Sequence, residues 1–254
     1  MSQNEYLKRD YLSSKQIVLY DEIVHLLKEH KEKEFDSKLN KEENFEVFNT
    51  IIRDYPEYTL AWKKREALRK YEGTEKYLVN VKYRYSKAKE NVMRHSIDTY
   101  IKENIIPYVK NAKCRTEKEI VTAIYTYLSK VFMCAEDEKN EKGELETPYY
   151  AFTLETLERL TGVCQGIALS LIYILRKYEI ECFYIRGRTD ADAPDENNGA
   201  PTHGWCMVKL DGIYYHMDLT WDLNAQEFQY FLLNDEEMYA RHHRWDYTAY
   251  PKAG

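Results

Sequence analysis

Two strand-like runs, His203 to Leu210 and Ile213 to Thr220, are separated only by Asp211-Gly212. An Asp-Gly link between such runs is the strongest short signal for a β-hairpin. A two-residue turn sets Leu210 opposite Ile213 and carries the register on to Trp205 opposite Asp218. Because side chains alternate, one face holds Cys206, Val208, Leu210, Ile213, Tyr215, Met217 and Leu219, which reads as core. The other holds His203, Trp205, Met207, His216, Asp218 and Thr220, which reads as a site.

Upstream, Ile167, Ala168, Leu171, Ile172, Ile174 and Leu175 make a nearly all-apolar stretch with the spacing of a buried helix. Residues 16 to 30 and 118 to 132 show helical spacing, residues 78 to 85 alternate like a strand, and Ser96 to Ile106 reads as helix. The pattern predicts an α+β chain. A mainly helical N-terminal portion with one strand covers residues 1–95, and a core covers 96–254, with the boundary between 90 and 115. Glu136 to Glu146 is expected to be a solvated loop. Thr189 to Pro201 is acidic, but Pro194 and the absence of Gly and Glu at the required positions break EF-hand spacing, so it reads as a loop near the cleft and not as a metal site.

At 254 residues and 44% hydrophobic, the chain can bury a sizeable core. The first 25 residues lack the uninterrupted apolar stretch of a signal peptide and no later run is long enough to span a bilayer, so a soluble cytoplasmic protein with no membrane partner is expected. Five scattered cysteines with no CxxC argue against a disulfide scaffold and a structural zinc. Trp62 to Arg94 carries eleven Lys or Arg against four Glu, but the net charge of −6 makes nucleic acid an unexpected partner.

The candidate chemistry begins at Cys164. Gly162 permits a tight entry into the apolar helix, which puts Cys164 at or near its first turn. There, unpaired N–H groups and the helix dipole favour an anion, and the same N–H groups can serve an oxyanion. The other cysteines, Cys114, Cys134, Cys182 and Cys206, read as small buried hydrophobes. His203 lies diagonally across the hairpin from Asp218 on one face, where an aspartate can orient an imidazole and fix its tautomer. His216 shares that face and ranks second as a base, being nearer the turn.

Gly-Val-Cys-Gln-Gly-Ile-Ala at 162 to 168, His-Gly-Trp at 203 to 205 and Met-Asp-Leu-Thr-Trp-Asp at 217 to 222 resemble the bacterial transglutaminase-like superfamily. Its core is similar to that of papain-like cysteine proteases. The resemblance implies a nucleophile at a helix N-terminus packed on an antiparallel sheet. It also implies Cys164 as nucleophile, His203 as general base then acid, Asp218 as orienter, and Trp205 and Trp221 beside the site; Gln165 next to the cysteine and His216 on the hairpin face are further candidate lining residues. Weaker likeness extends to Tyr230 to Asn234 and to His243-Arg244-Trp245. Cys206 departs from the pattern, standing where Asn often follows the tryptophan.

The resulting expectation is cofactor-free, metal-free acyl transfer or hydrolysis on a peptide or side-chain amide of a protein substrate. Hydrolysis is favoured over crosslinking because water is always at hand. The rival is a non-catalytic module that uses the cleft to hold a peptide. Substrate, acyl acceptor and oligomeric state stay open at this level.

Overall fold

The computed structural model describes residues 11–59, 61–136, 138–139, 145–146, 155–189, 203–223 and 225–254. The chain divides into two compact units, one up to Val92 and one from Met93 to Gly254.

The first unit holds α1 (Ser14–Glu29), β1 (Lys33–Ser37), α2 (Lys41–Asp54), a short α3 (Pro56–Thr59), β2 (Leu68–Lys70) and β3 (Tyr77–Val81). Both long helices start at full capping boxes, Ser13 with Gln16 and Asn40 with Glu43, which satisfy orphan N–H donors. Ile23, Val47, Phe48 and Ile51 are fully buried. The strands form a sheet in the order β1-β3-β2, three strands where the sequence pattern predicted one. The physical reason is visible in β1 and β2: Lys-Glu-Phe-Asp-Ser is mostly polar and half exposed, and Leu68–Lys70 is too short to show a period.

The division falls within α4 (Lys87–Tyr100), which runs through a π turn at Ile101–Ile105 into α5 (Ile106–Asn111) of the second unit. Next come α6 (Glu117–Val131), β4 (Met133–Cys134), β5 (Glu138–Lys139), β6 (Leu145–Glu146), α7 (Glu155–Arg159), β7 (Thr161–Gly162) and α8 (Cys164–Lys177). The chain closes with β8 (Cys182–Thr189), β9 (His203–Leu210), β10 (Ile213–Met217), β11 (Phe231–Leu233), α9 (Asp235–Ala240) and β12 (His243–Trp245). The main sheet has the order β11-β10-β9-β8-β12 and its pairings are antiparallel. The sequence between Glu136 and Glu146 was expected to be loop throughout; β5 and β6 pair within it, and the rest of it, like residues 190–202, lies outside the described residues. Among the described residues no helix is long and apolar enough to cross a membrane.

The hairpin register matches the pattern. Leu210 pairs with Ile213 and Cys206 with Met217, around a turn in which Asp211 (φ 53°) and Gly212 (φ 84°) are both left-handed, as a type I′ turn requires. The ladder ends at Met217 instead of Thr220, because the Asp218 amide turns away to donate to the Tyr230 carbonyl at 2.8 Å.

The reading of the two faces needs correction. On the face of Cys206 and Val208, Cys182 reaches the Ile172 carbonyl of α8, so this side is core as expected, yet Ile213 at the turn is 42% exposed. The opposite face is a second core for most of its length: Phe183, Ile185, Trp205, Met207 and Tyr214 pack with Leu233, Met238, Trp245 and Ala253. Alternation assigns a side chain to a face but not what later covers that face. Here α9, β12 and the last residues cover it, leaving only the His203–Asp218 end as a candidate site.

Candidate active site

Cys164 is the first residue of α8, entered from extended Val163, which offers no side-chain cap. The approach is fixed by β4 pairing in parallel with β7, Cys134 against Gly162, and by the Ala135 amide donating to the Gly162 carbonyl at 2.8 Å. The α8 interior is buried without interruption from Gly166 to Leu175, which anchors the thiol-bearing end. The thiol is half-buried, and the uncapped first-turn N–H groups stay available to an anion.

His203 opens β9, and its Nε2 lies 2.5 Å from Asp218 Oδ2. The Cys164 thiol is near enough for its charge to act on the same ring. Burial pushes the imidazole down, but hydrogen bonds and charges from Asp218 and Cys164 outweigh it and raise His203 to about 10. Asp218 is fully buried; burial pushes its carboxyl up, while the hydrogen bonds from two histidines reverse that and hold it below the usual range.

The second histidine is His243, whose Nε2 lies 2.9 Å from the same Oδ2. Asp218 Oδ1 accepts from the Thr220 amide at 3.1 Å. The loop between these groups is pinned at its far end by Asp222, which accepts from Tyr125 of α6 at 2.8 Å and from the Gln229 and Tyr230 amides. The ligand-type atoms of His203, Asp218 and His243 lie within 4.8 Å of one another, a spacing that a cation could in principle use. All three atoms are already engaged in the hydrogen bonds just described.

The predicted aromatic residues divide. Trp221 is 36% exposed, with its ring centroid 5.9 Å from that of His203, and lines the open side. Trp205 stacks on His203 at 5.8 Å but is fully buried, so it backs the imidazole and is out of a substrate's reach. Gln165 is half-buried beside Cys164.

His216 does not line the site. It is fully buried behind Trp205, accepting from the indole Nε1 at 3.0 Å on Nδ1, with Nε2 2.9 Å from Asp235 Oδ1. Burial pushes it below the ordinary histidine value, and the neutral Nε2–H tautomer satisfies both bonds. It steers Trp205 and Asp235.

Two neighbours carry no local sequence signal. Tyr184 lies so close to Gly204 that a Cβ there would run into its ring and hydroxyl, and burial, then the charge of Cys164, pushes that hydroxyl well up. Cys134 is exposed and Cys114 half-buried, where both were expected to be buried; the packing around the Cys134 thiol, then the neighbouring charge of Cys164, raises it. Cys182 and Cys206 are buried as predicted.

No curated protein matches the chain. Among solved structures, a "TGase" shares 14% identity over 64% of this chain and 45% of its own, with a TM-score of 0.41. A "putative cysteine protease" from Cytophaga hutchinsonii shares 12% over 76% and 66%, with a TM-score of 0.33. The chain spans less than half the length of the first and about two thirds of the second. Residues 107–219, which include Cys164, His203 and Asp218, match the family model of the transglutaminase-like superfamily.

Proposed function

We propose that this protein performs cysteine-dependent acyl transfer on peptide or side-chain amides, with water as the usual acceptor. What supports the reading is the contact of His203 with the buried Asp218 carboxylate, together with a thiol at the start of α8 whose charge acts on the same ring. In this reading Cys164 gives its proton to His203, and the thiolate attacks the amide carbonyl. The first-turn N–H groups receive the oxyanion, and His203 protonates the departing amine to leave a thioester. Water, deprotonated by His203, then attacks the thioester and restores the thiol. Asp218 orients the ring and supports its cationic form throughout.

The test is the pH dependence of iodoacetamide alkylation at each of the five cysteines, read by peptide mass spectrometry, in the native protein and in His203→Ala. The expected result is that Cys164 reacts faster than the rest below pH 7 and slows at least tenfold without His203. A Cys164 no faster than buried Cys182 and Cys206 would remove the catalytic reading and leave a peptide-holding cleft.

A further inference from the structure

His243 lies beyond the residues that match the family model, yet it sits on the same carboxylate oxygen as His203. Its ring is fully buried, and both nitrogens face acceptors: Nε2 lies 2.9 Å from Asp218 Oδ2 and Nδ1 lies 3.1 Å from the Arg241 carbonyl. A neutral imidazole has one N–H and one lone pair, and it would leave one of these contacts as a lone pair against an oxygen. Only the doubly protonated ring donates to both. His216 is the contrast on the same sheet, since its two partners are one donor and one carboxylate and suit a neutral ring.

The surroundings agree. His243 is boxed by Trp205 at 5.0 Å, Trp221 at 5.0 Å and Tyr230 at 5.4 Å, aromatic rings that accommodate a cation better than aliphatic groups would. The titratable groups that face it are Asp218, His203 and His216 from the hairpin and Tyr230 ahead of β11. The nearby guanidiniums of Arg241 and Arg244 lie over Tyr230 and Tyr239.

We propose that His243 is a positioning residue of this site: a doubly protonated ring that holds Asp218 in place and, by sharing its charge, opposes the cation on His203. A base that also has to return its proton works best when it does not hold it too tightly. Asp218 alone, buried against one imidazole, would bind that proton strongly. A second cation on the same oxygen, 5.4 Å from His203 ring to ring, loosens it. The inference rests on the triad reading above for its purpose, but not for its measurement.

The experiment is an NMR titration of His203 in carbon- and nitrogen-labelled protein, wild type and His243→Gln. The Gln amide can stand where Nε2 stood and keep the bond to Asp218 while the charge is gone. The His203 midpoint is then expected to rise by about one pH unit, the effect of removing a like charge at this distance in a partly buried setting. A midpoint that stays or falls overturns the proposal; a merely structural histidine would give that result. If the variant fails to fold, the wild type decides alone: at pH 7 both ring nitrogens of His243 should carry hydrogen, and a bare nitrogen there overturns the proposal. Slow alkylation of Cys164 with a raised His203 midpoint would sink the catalytic reading and leave this one standing.

Discussion

Asp218 uses both carboxylate oxygens: Oδ1 takes the Thr220 amide, and Oδ2 takes His203 and His243. This has a consequence for stability. His203 is raised from 6.5 to about 10 in the folded chain, so folding favours its protonated form. That contribution is complete below about 6.5, the unfolded value, and is lost as pH rises toward about 10. Asp218 works in the opposite sense: its lowered value gives stability above the ordinary carboxylate range that is lost as pH falls through the folded value. Urea midpoints should therefore decline between roughly pH 7 and 10, and His203→Gln should flatten that slope. An equally steep slope in the variant would assign it to other groups. At this scale the sequence was informative where partners are close. His203 and Asp218 lie 15 residues apart across one tight turn, and the turn chemistry alone placed them. His243 lies 25 residues beyond Asp218, after an irregular loop and another helix, and no local period connects the two.

Among the elements, the β9–β10 hairpin is the most fully specified, and its specification can be tested. Gly212 has φ 84°, and a Cβ there would meet nothing within 4 Å, so a substitution acts on the backbone alone. Gly212→Ala should cost about 1 kcal/mol, seen as a lower urea midpoint with an unchanged m-value. A neutral result would mean that the turn relaxes to another type. The capping boxes at α1, α2, α6 and α9 likewise follow from short-range chemistry. What stayed hidden is which layer covers a strand face. His216 reads as a site residue by alternation, and it becomes a buried strut because α9 and β12, from the end of the chain, close over it. Burial of both faces also explains the all-buried run from His203 to Val208, where a half-buried strand would have alternated.

For the molecule as a whole, the candidate site belongs to the second unit. It draws on the start of α8, the hairpin and the late strand β12, and the family match ends at Asp218's neighbour, residue 219. The chain has four tryptophans, and the aromatic cluster around the histidines contains Trp205, Trp221 and Trp245. A protonated imidazole quenches a neighbouring excited indole by accepting an electron, and Trp205 and Trp221 both lie within 6 Å of His203. The emission of Trp205 and Trp221 is thus coupled to the charges on the two imidazoles beside them, His203 and His243. It should brighten as His203 loses its charge in alkaline solution, and His203→Gln should abolish that step, as recorded by steady-state fluorescence against pH. The stack that rigidifies the base doubles as an optical gauge of its charge, legible with no substrate in hand.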